Sequence, residues 1–179
     1  RCYAWQEYVQ PGAWPDCDML PIGRIQKTEK LPEYRNRYTR FTKDEQITMM
    51  TLWGIFRSPL MMGGEMREND EFTLSLLQNR ELINMLKNSS GARQFKREET
   101  DGKGEIIWTS TGENCKYVAL FNTDDEEREI SFNITDISIG GVKYSVWDMW
   151  AHEEFTITDA EFSAKVNSHG ARLFKITVK

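Results

Sequence analysis

Apolar and polar positions follow two rhythms along the chain, one helical and one strand-like, and the change falls near residue 90. In the first half, Thr42 and Glu45 stand three residues apart ahead of an apolar series at Ile47, Met50, Leu52, Trp53 and Phe56. A hydroxyl accepting the N3 amide, with an acidic side chain reaching back, is a capping box, so the pattern predicts a helix over 42–57 that Ser58-Pro59 ends. Leu60-Met61-Met62 is a short, wholly apolar run closed by Gly63-Gly64, the pattern of a strand buried on both faces. Asn69 or Asp70 caps a second predicted helix over 71–78, with Leu74 and Leu77 inward, and a third follows over 80–86. Upstream, Pro15 and Pro21 forbid a helix interior or a central strand over 14–23, which reads as a short strand running into a structured loop. Residues 24–40 are basic and polar without periodicity, and read as loop. Strand, helix, strand, helix over 14–87 is the order of a β/α barrel or a wound sheet.

After Lys87-Asn88-Ser89-Ser90-Gly91, which reads as a linker, β-rich runs follow at 106–110, 116–122, 129–134, 143–148, 153–158, 161–166 and 171–178. Glycine and acidic turns separate them at the intervals of an antiparallel sandwich. In one run Tyr117, Ala119 and Phe121 alternate with Val118, Leu120 and Asn122, which suggests a sheet with one buried face that could close a core by itself. The fold class expected is therefore α+β, with 1–90 and 91–179 as separate units.

Composition narrows the function classes. A net charge of −5 with mixed signs gives no electrostatic reason to expect nucleic acid. The apolar runs are too interrupted for a membrane-spanning helix. Three cysteines, Cys2, Cys17 and Cys115, lack the spacing of a disulfide framework or a zinc site; one disulfide is the alternative to the expectation that each is a free thiol. The chain opens on Arg1-Cys2-Tyr3-Ala4-Trp5, without an initiator methionine, and reads as a fragment of a larger protein.

Candidate chemistry centres on Asp16 and Asp18. On a strand, side chains at i and i+2 share a face with Cα atoms roughly 6.5 Å apart, a spacing that suggests the paired carboxylates of a glycosidase. The commoner use of such residues is a turn in which Asp accepts local backbone N–H groups. His152 and His169 fall in turn-like contexts with no nucleophile motif near them. Met49, Met50, Met61 and Met62 read as core filling, and Trp147-Asp148-Met149-Trp150 as packing.

Trp14-Pro15-Asp16-Cys17-Asp18-Met19-Leu20, with Gly23 three residues on, resembles a motif of glycoside hydrolase family 27, the α-galactosidases and α-N-acetylgalactosaminidases. That motif reads Trp-Asn-Asp-Pro-Asp-Met-Leu; Pro15 and Cys17 depart from it as in bacterial members. The stretch from Thr51 through Trp53 and Arg57 to Met61 is similar to the family's seventh barrel helix and eighth strand, and residues 75–79 to its last helix. Tyr144 to Trp150 and Ser168-His169-Gly170 are similar to late segments of its C-terminal β domain.

The resemblance implies the last strands and helices of a (β/α)8 barrel followed by an antiparallel β-sandwich. It implies a retaining exo-glycosidase of terminal α-galactosides, with no metal or organic cofactor. The family's nucleophile and acid/base aspartates lie upstream of its motif, so the chain by itself is expected to be inactive. It implies substrate contact by Asp18 and Met19, with Trp14 and Asp16 supporting them, and the periplasm or the exterior as the parent's location. The partner implied is an α-galactoside or related sugar, with neither nucleic acid nor membrane. Self-association is expected through an exposed barrel remnant bearing Trp53, Phe56, Met61 and Met62. A carbohydrate-binding or purely structural sandwich is the alternative.

Overall fold

The computed structural model describes residues 2–27 and 37–179. A 3₁₀ turn over Cys2–Tyr8 leads through the turn at Pro11-Gly12 into an extended segment, 14–22, that dives into the core at Leu20 and Ile22. Two short strands follow, β1 (Arg24–Gln26) and β2 (Arg37–Tyr38), paired antiparallel. This corrects the reading of 24–40 as loop throughout; residues 28–36 of that stretch lie outside the described residues.

Helix α1 (Lys43–Phe56) begins at the capping box read from the sequence. Glu45 N–H donates to Thr42 Oγ1 at 3.2 Å, and Thr42 N–H donates to Glu45 Oε2 at 2.7 Å. It ends at Arg57, whose backbone is left-handed (φ +65°). Beyond it, Met62 pairs in parallel with Leu20: Leu20 N–H donates to Met61 O at 2.7 Å and Gly63 N–H to Leu20 O at 2.9 Å. Two parallel segments joined by a crossover helix form a β/α unit. Met61 is 41% exposed and Leu60 and Met62 half-buried, so this run is not buried on both faces. Among the described residues it pairs only on its Leu20 side. The Gly63-Gly64 pair is explained by close approach: a Cβ on Gly64 would stand 2.5 Å from the Arg24 carbonyl oxygen, and one on Gly63 2.8 Å from the Met19 Cβ.

Asp70, not Asn69, caps α2 (Glu71–Leu77), its carboxylate taking the Thr73 N–H at 2.7 Å. Thr73 and Leu76 are buried and Leu77 half-buried; these share one helix face, whereas Leu74 is exposed on the other. Helix α3 (Arg80–Asn88), capped by Asn79, runs almost directly into β3 (Ser90–Thr100). No loop separates them, and the stretch that reads as a linker is helix end and strand start.

Seven further strands follow: β4 (Lys103–Gly112), β5 (Cys115–Asn122), β6 (Arg128–Asn133), β7 (Tyr144–Asp148), β8 (Glu153–Ile157), β9 (Glu161–Val166) and β10 (Ala171–Val178). Six make one antiparallel sheet in the order β3-β4-β5-β10-β7-β8, and β6 and β9 pair separately. The inner strands of the sheet, β5 and β10 above all, are buried on both faces, which corrects the one-sided expectation. On β5, Val118 and Leu120 join Phe174 and Ile176 of β10 against Phe132 and Phe162 of the β6–β9 pair. Tyr117, Ala119 and Phe121, on the opposite face, join Trp108 and Leu173 against Met50, Ile55 and Phe56 of α1 and Leu82 and Met85 of α3. Phe56 meets Trp108 edge-on at 5.5 Å and is 2% exposed. Phe56, one of the four side chains on which self-association was expected to rest, is thus covered by the chain's own sheet.

Candidate functional site

The segment 14–19 leaves the core as Leu20 enters it, and presents Trp14, Asp16, Asp18 and Met19 at the surface. Asp16 and Asp18 do not share the face of a strand. Asp16 Oδ1 accepts the Asp18 N–H at 2.8 Å, and Asp18 Oδ1 accepts the Met19 N–H at 2.7 Å, as in a turn. Asp18 itself has φ +72°, a left-handed conformation that Asp tolerates better than most residues but that still carries strain. The turn aims the Asp18 carboxylate outward, where its second oxygen has no partner among the described residues. Met19 follows, 55% exposed, with its Cβ against Gly63.

Three groups near the end of α1 hold this turn. Trp53 Nε1–H donates to the Asp18 carbonyl at 3.0 Å. The fully buried Ser58 accepts the Cys17 N–H on its Oγ at 2.9 Å. The Arg57 guanidinium lies over the Trp14 ring, 4.1 Å from its centroid. None of the three is evident as a support from sequence alone; the available signal was their clustering in six residues that close an amphipathic helix. Cys17 lies beside Cys2, and hydrogen bonding from Cys17 lowers the Cys2 thiol to about 6. The same contact, with burial and the nearby Asp16 charge, pushes Cys17 up.

The remaining candidates are structural. His152 and His169 occupy turns with left-handed backbone, at φ +56° and +51°. Trp147 donates to Glu81, and Trp150 donates to Thr51 Oγ1 at 2.8 Å, tying the sheet to the helices. Asp148, fully buried, accepts the backbone N–H groups of Trp150 and Ala151 and pairs with Arg172.

Comparison with known proteins matches both halves. Residues 4–88 fit the family model described as alpha galactosidase A, and residues 102–176 that of the alpha galactosidase C-terminal beta sandwich domain. A solved β-L-arabinopyranosidase of family 27 from Geobacillus stearothermophilus, in complex with arabinose, is 41% identical with a TM-score of 0.89, over 99% of this chain and 40% of that one. The chain belongs to glycoside hydrolase family 27. It corresponds to the C-terminal part of family members, an α+β piece made of the end of the (β/α)8 barrel and the sandwich after it.

Other family 27 relatives agree. A putative α-N-acetylgalactosaminidase from Bacillus halodurans C-125 is 35% identical with a TM-score of 0.87, over 99% of this chain and 42% of that one. The α-galactosidase of Oryza sativa subsp. japonica is 28% identical over 97% of this chain, which spans 38% of that enzyme's length. The parallel pairing of Leu20 with Met62 has the sense in which neighbouring strands of such a barrel pair.

Proposed function

We propose that these residues form the C-terminal part of a retaining exo-glycosidase that removes terminal α-D-galactopyranosyl groups. The observation that carries the reading is the strained turn at Asp18, which holds an outward carboxylate with one oxygen open beside an exposed Met19. A carboxylate of this kind accepts sugar hydroxyls, and a thioether beside it supplies an apolar wall. Asp18 and Met19 contact the sugar; Asp16 and Trp14 hold the turn. In this reading Asp16 and Asp18 are support and contact and not the catalytic pair: they sit in one local turn, Asp16 Oδ1 accepting the Asp18 N–H, and do not face each other across a sugar. The nucleophile and the acid/base lie in the rest of the parent, and the 179-residue chain alone is inactive.

In the same proposal, residues 1–90 are the end of the barrel and 91–179 the sandwich that buttresses it. Among the described residues of the sandwich, the exposed large apolar side chains are Val142, Phe155 and Val178. A single aromatic is no stacking platform, which favours a supporting role over sugar binding. Self-association of the excised chain, through Met61 and the exposed Tyr3, Trp5 and Tyr8, is part of the proposal, and sedimentation over a range of concentrations tests it.

A second reading is favoured by the 41% identity to the arabinopyranosidase. A β-L-arabinopyranoside has the ring configuration of an α-D-galactopyranoside and lacks only the exocyclic hydroxymethyl group. Steady-state turnover of the two aryl glycosides by the full-length parent separates the readings. Preference for the galactoside supports the first and preference for the arabinoside the second. Turnover of neither by a folded parent overturns both.

A further inference from the structure

We propose that Arg57 is a positioning residue for the sugar-contacting turn, coupling it to the junction between α3 and β3. The inference rests on the reading of residues 14–19 as that turn. Each of the three guanidinium nitrogens donates to a different carbonyl at this junction: Nε to Leu86 at 2.9 Å, Nη2 to Lys87 at 2.9 Å, and Nη1 to Ser89. These carbonyls belong to the last turn of α3 and its C-cap, where backbone acceptors lack intrahelical partners and the helix dipole favours a cation. With its nitrogens so occupied, the guanidinium is held in place, its carbon over the Trp14 ring and 4.1 Å from the ring centroid.

The backbone of Arg57 is equally constrained. Its left-handed C-cap conformation ends α1, and the next residue, Ser58, takes the Cys17 N–H. One turn earlier on α1, Trp53 holds the Asp18 carbonyl. The turn is therefore gripped at Trp14, Cys17 and Asp18 by residues 57, 58 and 53. Of these, only Arg57 also binds the end of α3, where the chain turns into β3. A lysine at 57 would keep the charge but could not reach three carbonyls while stacking on an indole, because it lacks the planar fork.

The test uses the full-length parent and the variants Arg57→Lys, Trp14→Leu and their combination, read by hydrogen exchange and by kinetics. Arg57→Lys should speed amide exchange across residues 14–19 on the order of tenfold and leave β5 unchanged. Trp14→Leu, which spares the α3 carbonyl contacts, should do the same, and the double variant should exceed neither single. On whichever aryl glycoside the wild type cleaves, Arg57→Lys should raise KM about tenfold with kcat within about twofold. Unchanged exchange at 14–19, additive effects of the two substitutions, an equal rise through β5, or an unmoved KM would each overturn the proposal. Should the wild type cleave neither glycoside, the sugar reading fails, and the exchange measurements still decide whether Arg57 positions the turn.

Discussion

Asp18 holds φ +72° because Asp16, Trp53 and the Met19 amide surround it, and the cost of that conformation is met by three directed contacts. Substituting Asn keeps the tolerance for left-handed backbone and an acceptor for the Met19 amide, while it removes the charge and replaces the open carboxylate oxygen with an NH2 donor. In the full-length parent, Asp18→Asn should weaken binding of a galactose-type inhibitor by about tenfold to a hundredfold, the equivalent of roughly 1.5–3 kcal/mol for a charge-assisted hydrogen bond. Calorimetric titration measures it, and unchanged affinity in a folded variant would remove Asp18 from the sugar site. Cys2 gives a second prediction at this scale. Its thiol is lowered to about 6 by Cys17, so the reactive thiolate fraction rises as pH passes upward through that value. Alkylation by iodoacetamide, mapped by mass spectrometry, should therefore modify Cys2 first, with half-maximal rate near pH 6. Prior modification of Cys17, whose thiol is pushed up, or of the buried Cys115 would contradict this.

Helix α1 is the element on which the site depends, since Trp53 lies within it and Arg57 and Ser58 follow its end. Removing its cap by Thr42→Ala should cost about 1 kcal/mol of stability, read as a shift in the urea midpoint. A shift of zero would mean the cap is replaced by solvent without loss. This cap was legible in the sequence because Thr and Glu at that spacing act locally. Strands β4 to β10 were legible too, because β-branched and aromatic residues cluster there in short runs between glycine and acidic turns. Strand β3 was not. Its pairing with β4 shifts register between Ser90 and Arg93 and again between Gln94 and Lys96, which breaks the alternation, and it is a charged edge strand. The short strands β1 and β2 were hidden for a related reason, since two or three residues carry no period. Of the site, the sequence showed Asp16 and Asp18 as a pair, and their division into support and contact came through family resemblance. Trp53, Arg57 and Ser58 stayed hidden because their partners lie 29 to 43 residues away.

Across the whole molecule the six-stranded sheet is the shared wall of two cores. One face closes on the β6–β9 pair and the other on α1 and α3. An excised 91–179 segment would expose Trp108, Tyr117, Phe121 and Leu173, a contiguous apolar face that drives association. It should therefore aggregate or melt without a cooperative transition, whereas a monomeric, cooperatively unfolding 91–179 would show that the helical layer is dispensable. The larger claim is a division of labour, in which this chain supplies sugar contacts and the rest of the parent supplies the covalent chemistry. Trapping the glycosyl-enzyme tests it most directly. The full-length parent is treated with an activated fluorinated galactosyl inhibitor, digested, and the labelled peptide sequenced by mass spectrometry. The account predicts the label on a carboxylate outside these 179 residues; a label on Asp16 or Asp18 would contradict it.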